Sequence, residues 1–178
     1  FWVGPQDSNP YSLFFKPDGT KMYMLGLSGI DVNEYTLSPA WDISTAVFLQ
    51  LFSVSAQDSA PTGVFFSPDG IYMYMCGYTN DRVYQYTLST AWDVTTASYD
   101  NKSFNTTLHA PYSTQFKSDG TKMYITGASA IYEYSLSTAW DVTTVSYTED
   151  FSHATQLGQV LGMIFNADLT EMILLNAT

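Results

Sequence analysis

Short apolar runs and polar punctuation alternate along this chain so regularly that its strands can be counted directly. Leu13-Phe14-Phe15 and Val64-Phe65-Phe66 each lead into an Asp-Gly pair, and second runs follow at once, Met22-Tyr23-Met24-Leu25 and Met73-Tyr74-Met75-Cys76. Thr114-Gln115-Phe116 with Met123-Tyr124-Ile125, and Met163-Ile164-Phe165 with Met172-Ile173-Leu174, continue the series. Runs of this length bounded by turn residues predict strands, and the second of each pair, apolar at every position, predicts a strand covered on both faces. In the turn between them Asp accepts from nearby backbone N–H groups and Gly supplies a positive φ. A third strand alternates cleanly over Val32 to Leu37, Val83 to Leu88 and Ile131 to Leu136. Tyr and Leu mark one face, and Glu34, Gln85 or Glu133 marks the other, which predicts a strand nearer the rim with a polar outer side. A more variable fourth strand is expected around 48–54, 99–105 and 147–151.

These strands belong to a unit written three times, with a decayed fourth copy. Asp18, Asp69, Asp119 and Asp168 fall 51, 50 and 49 residues apart, and Ala-Trp-Asp recurs at 40–42, 91–93 and 139–141. Between Pro10 and Ala46, 20 of 37 positions are identical to the residue 51 further on. A period near fifty means units that bury their apolar faces against their neighbours. Four antiparallel strands per unit are the blade of a β-propeller. The predicted fold class is therefore all-β, about three and a half four-stranded blades of a larger, about seven-bladed ring. The expected boundaries are 1–9 (the last strand of a preceding blade), 10–60, 61–110 and 111–159 (whole blades) and 160–178 (half a blade). Such an arc exposes an apolar blade face at each end, more than a monomer normally leaves uncovered. A fragment of a larger ring, two arcs closing each other, or a four-bladed ring completed by the first strand would each cover those faces.

Composition narrows the partners. With 46% apolar and 16% aromatic residues in 178, the chain has the means for a sizeable core, and only 13% of residues are charged. Six basic against 17 acidic residues give −11, which repels phosphate backbones and anionic lipid, so nucleic acid is excluded as a partner class. No apolar run reaches the 18 to 20 residues of a membrane span, which argues against membrane insertion. The single cysteine, Cys76, lies in an apolar run and reads as a packed core side chain. Asn101, Asn105 and Asn176 begin N-x-S/T sequences at the frequency that a chain with 40 Ser and Thr residues produces by chance.

The signature of an apolar strand, Ser67-Pro68-Asp69-Gly70 and Lys122-Met123-Tyr124 resembles the propeller repeats of the YVTN and WD40-like superfamily. With the identical stretches Leu88 to Thr96 and Leu136 to Thr144, it is similar to tandem SPDGTKMY…LSTAWDVSTA repeats of marine bacterial surface proteins and bacteriophage virion proteins. The resemblance implies a propeller throughout and says little about activity, because propellers host enzymes, binders and scaffolds alike. The Trp-Asp pair follows the third strand here, so the hydrogen-bond network of true WD40 repeats is not carried over.

Asp18, Asp69 and Asp119, and Trp41, Trp92 and Trp140 with their following aspartates, recur at equivalent places and read as turn chemistry and packing. No G-x-S-x-G elbow, H-E-x-x-H, C-x-x-C or phosphate loop occurs, and no metal site or cofactor is expected. Recognition in a repeat protein concentrates where the copies disagree, in the loops from second to third strand and from fourth strand to the next blade. Those two loop sets share one face of a propeller. The richest group there is Tyr78, Asn80, Asp81 and Arg82, with His109 from the following connection. Arg82, the only arginine, reads as a fork for a carboxylate or planar ligand, or as a salt bridge to Asp81.

Three functions are consistent with this reading. The first is a non-catalytic module at a virion or cell-envelope surface, extracellular and serving assembly or adhesion, its partners being other protein chains or the remaining blades of the same protein. The second is a lactonase-like hydrolase with a divalent ion in the central channel, which would need carboxylates where Ser12, Gly63, Ser113 and Gly162 stand. The third is a carbohydrate-binding propeller presenting Tyr and Trp rings to a glycan.

Overall fold

The computed structural model describes residues 2–107, 110–152, 160–165 and 171–176. Blade one comprises β1 (Pro10–Phe15), β2 (Lys21–Gly26), β3 (Asp31–Thr36) and β4 (Val47–Ser53), hydrogen-bonded in chain order. Blade two repeats it with β5 (Pro61–Phe66), β6 (Tyr72–Gly77), β7 (Arg82–Leu88) and β8 (Ala97–Asn105). Blade three follows with β9 (Ser113–Phe116), β10 (Lys122–Thr126), β11 (Ala130–Leu136) and β12 (Val145–Ser152), and β13 (Val160–Phe165) pairs with β14 (Met172–Asn176) as a two-stranded sheet. Every pairing is antiparallel, and the third and fourth strands carry the same irregularity in each blade, at Glu34/Tyr35, Gln85/Tyr86 and Glu133/Tyr134. Three 3₁₀ turns, Ile43–Thr45, Val94–Thr96 and Val142–Thr144, join third to fourth strands.

The sheets pack face to face, and this explains the doubly apolar second strand. Met73 and Met75 of β6 join a core with Tyr23, Leu25 and Val32 of blade one, whereas Tyr74 and Cys76 of the same strand join Phe116, Met123 and Ile125 of blade three. Alternate side chains of one strand thus serve two different interfaces, so neither face can be polar. Cys76 is fully buried and burial pushes its thiol well above the usual range, which leaves it a packing residue.

The Asp-Gly turns form as their residues require. Asp18, Asp69 and Asp119 accept from the backbone N–H two residues on, at Thr20, Ile71 and Thr121, while Gly19, Gly70 and Gly120 hold φ of 72°, 74° and 71°. The tryptophans explain why those glycines recur. A Cβ on Gly19, Gly70 or Gly120 would lie 2.3 to 2.4 Å from the ring of Trp41, Trp92 or Trp140. Each Trp backbone N–H also donates to the carbonyl of that glycine, at 2.9, 3.0 and 3.1 Å. The two repeated motifs are therefore one device, an indole laid flat on a turn that only glycine can make. To reach it the tryptophans adopt φ of 67°, 64° and 66°, which the sequence pattern did not announce.

Two expectations change. Residues 2–9 contain no strand: the Val3 carbonyl accepts from Gln6 and Asp7 N–H, as the Val54 carbonyl does from Gln57 and Asp58. The 51-residue offset there captured the connection after a fourth strand, not the strand itself. The polar side of the third strand is not an outer side either. Glu34 is fully buried and Gln85 nearly so, because both face the next blade's Trp turn.

The apolar end faces are present as expected. Leu13, Trp41 and Ile43 are exposed on blade one, where a cleft of about 310 Å³ opens, and Ile164 and Ile173 are exposed on the two-stranded sheet.

Candidate functional site

The loop end of the arc is assembled by two aspartates that the repeat pattern contains but did not single out. Asp58, 2% exposed, accepts from the N–H groups of Ala60 and Thr79 through Oδ1 (2.8 and 3.3 Å) and of Asn80 through Oδ2 (2.9 Å). Asp7 repeats this in blade one with Asn9, Ser28 and Gly29. Each carboxylate ties the connection entering a blade to that blade's second hairpin, so the two loop sets do share one end of the molecule. A Cβ on Gly26 or Gly77 would fall 2.0 or 2.2 Å from the Oδ2 atom of Asp7 or Asp58, which is why glycine ends both second strands. The signal was legible: Gln6-Asp7-Ser8 and Gln57-Asp58-Ser59 are the same triplet 51 residues apart.

Blade three lacks that triplet, and the connection entering it is bonded instead to blade two's hairpin, at Asp81. With φ of 52°, Asp81 accepts Ala110 N–H on Oδ1 at 3.0 Å and Thr106 N–H on its carbonyl at 2.8 Å. Arg82 turns away from it and donates from Nη1 to Ser103 Oγ at 2.9 Å, so the salt bridge envisaged between the neighbours is replaced by a strand-to-strand bond. Asn80 donates from Nδ2 to the Gln57 carbonyl. Tyr78 remains 49% exposed, its ring 6.2 Å from that of buried Tyr112. Tyr78, Asn80, Asp81 and Arg82 thus cluster at one hairpin, and His109 lies outside the described residues. Around Tyr78 the exposed surface is built from hydroxyls, with Ser59 bonded to Thr79 at 3.0 Å and, in blade one, Ser8 to Ser28 at 2.9 Å.

Electrostatically this end is quiet. Burial holds the Asp31 carboxyl above its ordinary value, opposed by a bond from Asn33 and reinforced by the charge of Asp7. Burial likewise pushes the Tyr35 phenol up to about 12. Among the described residues no three of His, Cys, Asp and Glu converge as metal ligands.

The innermost strands β1, β5 and β9 line up side by side. Val64 N–H donates to Ser12 Oγ at 3.2 Å, Thr62 Oγ1 to the Pro111 carbonyl at 2.6 Å, and a Cβ on Gly63 would lie 3.0 Å from the Ser113 Cα. Small residues are needed where the backbones come this close. Ser12, Gly63 and Ser113 supply no carboxylate there, a donor set that does not fit a divalent ion.

No family model matches the chain, and no curated protein matches it. Solved structures do. A candidate 6-phosphogluconolactonase from Bacteroides uniformis superposes with a TM-score of 0.63 at 13% identity, covering 93% of this chain and 46% of that one. A second candidate 6-phosphogluconolactonase, from Bacteroides fragilis, gives 0.57 at 18% identity over 80% of this chain and 39% of its own. Hydrazine synthase of Kuenenia stuttgartiensis gives 0.62 at 16% identity over 93% of this chain and 41% of that one. The fold is a β-propeller. The chain spans half or less of the length of each of these three structures, and at such identities the likeness extends to the fold alone.

Proposed function

We propose that the chain is a non-catalytic propeller module that binds its ligand across the loop end and is displayed on an exterior surface, of a virion or a cell envelope, for assembly or adhesion. One observation carries the reading. The carboxylates of the loop end, buried Asp7 and Asp58 and half-buried Asp81, are committed to backbone N–H groups, while the Tyr78 ring and a field of Ser and Thr hydroxyls face solvent. Such a surface recognises by stacking and neutral hydrogen bonds, as suits a glycan or a polar protein loop. The weakly charged, hydroxyl-rich composition and the repeat resemblance support the exterior location. Of the rings earlier considered for a glycan, Trp92 is buried, so Tyr78 is the stacking residue in blade two. Tyr78→Ala, at an exposed position, should weaken glycan or partner-protein binding about tenfold with an unchanged melting temperature. Full binding by that variant would end the assignment.

A hydrolase acting on a sugar lactone is the second reading, and the fold neighbours favour it over a purely structural role. The site chemistry weighs the other way: the inner strands offer no carboxylates, and a phosphorylated substrate would meet a chain of net charge −11 whose one arginine is bonded to Ser103. Turnover of 6-phosphogluconolactone by the chain, with or without added divalent metal, would establish that reading against ours.

A further inference from the structure

The Trp turns of blades two and three are each gripped by the blade before, through three side chains that lie in register. In the first grip Tyr23 donates to the Trp92 carbonyl (2.8 Å), Glu34 Oε2 accepts Val94 N–H (3.1 Å) and Gln50 Nε2 donates to Asp93 Oδ1 (2.8 Å). In the second, Tyr74 donates to the Trp140 carbonyl (2.6 Å), Gln85 Oε1 accepts Val142 N–H (3.1 Å) and Lys102 Nζ pairs with Asp141 Oδ2 (2.7 Å). The strand pairings Tyr23↔Glu34↔Gln50 and Tyr74↔Gln85↔Lys102 place these groups side by side, and the same register in blade three aligns Tyr124↔Glu133↔Glu149.

Among the described residues no Trp turn occupies that third grip. Tyr124, Glu133 and Glu149 line a cleft of about 250 Å³ together with Asp150, Phe151 and Phe165. Its ground is prepared as in the filled grips: the Tyr124 ring lies 4.7 Å from Phe165, as Tyr23 lies 4.4 Å from Phe66 and Tyr74 4.3 Å from Phe116. Its charge is not. The position that offers a donor to the incoming aspartate in both filled grips, Gln50 and then Lys102, is here a carboxylate, Glu149, with Asp150 beside it. Lys122 pairs with Glu133 at 2.5 Å, as Lys21 does with Glu34, so Glu149 feels its charge only at longer range and has no ion pair of its own among the described residues.

We infer that this cleft is a docking surface for the Trp turn of a further propeller blade in which Lys or Arg stands where this chain's own turns carry Asp. The tyrosine hydroxyl and Glu133 would receive the turn's backbone as their counterparts do, and Glu149 would select its charge. A second copy of this chain is the wrong occupant, since its one uncovered turn would bring Asp42 against Glu149. The inference is independent of the ligand proposed for the loop end.

Two peptides decide it: residues 136–144 of this chain, and the same peptide carrying Asp141→Lys, each titrated into the labelled full chain. The Lys peptide should shift the resonances of Tyr124, Glu133 and Glu149 and bind about tenfold more tightly than the Asp peptide. Glu149→Lys, on the exposed outer strand, should reverse that order. Equal binding, tighter binding of the Asp peptide, or no shift with either would overturn the inference. So would self-association of the chain that Trp41→Ala abolishes, because it would make a second copy the occupant.

Discussion

Trp41 and Trp92 stand in the same Ala-Trp-Asp motif, with nearly the same backbone angles, each lying on its own glycine turn, yet one is 59% exposed and the other 9%. The difference lies outside the repeat. Trp92 faces Phe14 and Tyr23 of the preceding blade, with ring centroids 6.3 and 6.2 Å away, and its carbonyl accepts from Tyr23 and Lys21. Among the described residues the ring packed on Trp41 belongs to its own sheet, Phe15 at 5.6 Å. The turn keeps one geometry with or without a neighbour, and the neighbour converts it into an interface.

If this is right, truncation should cost unequally. Trp92→Ala should destabilise the chain by about 3–5 kcal/mol, and Trp41→Ala by about 1 kcal/mol, in chemical denaturation. Equal losses would mean that the indole matters only to its own turn. A finer cut removes one oxygen. Tyr74→Phe leaves the Trp140 carbonyl without its buried donor and should cost about 1–2 kcal/mol. Tyr124→Phe gives up a bond with Glu133 at an open cleft, where water replaces it, and should cost under about 0.5 kcal/mol in the same assay.

The smallest effect concerns acid and should ignore the difference altogether. Asp42 of the open turn is held below the usual carboxylate range by Ser44, and Asp93 of the covered turn by Thr95; Lys16 and Lys117 do the same for Asp18 and Asp119. A carboxyl depressed in the folded state stabilises fully above its unfolded value, here 3.8, and loses that contribution as pH falls below it. Asp31, raised by burial, runs the opposite way and gives up stability as pH rises through its folded value. The melting temperature should therefore hold nearly level from neutral pH down to about pH 5 and decline below about pH 4. A main loss between pH 7 and 5 would assign acid sensitivity to groups other than these turns.

The fold was readable because its signals are local and recur. Asp69-Gly70 fixes a turn through one side chain and one positive φ, and Met73-Tyr74-Met75-Cys76 records two covered faces in four letters. Glu34 misled, since alternation announces a polar face without saying what it meets, and the partner, Val94 N–H, lies 60 residues away. At the candidate site Tyr78 through Arg82 were found by their variability. Asp7 and Asp58 were passed over because they recur, although recurrence reaches the loop end only where blade one and blade two agree.

Sequence alone determined the strands from Pro10 onward, their order and the Asp-Gly turns, since each depends on residues within a few positions of one another. Only the tertiary structure decided which polar groups are free. Glu34, Gln85, Asp58, Asp81 and Arg82 all look available in the sequence and are all engaged, because a side chain's partner is fixed by the packing of one blade on the next.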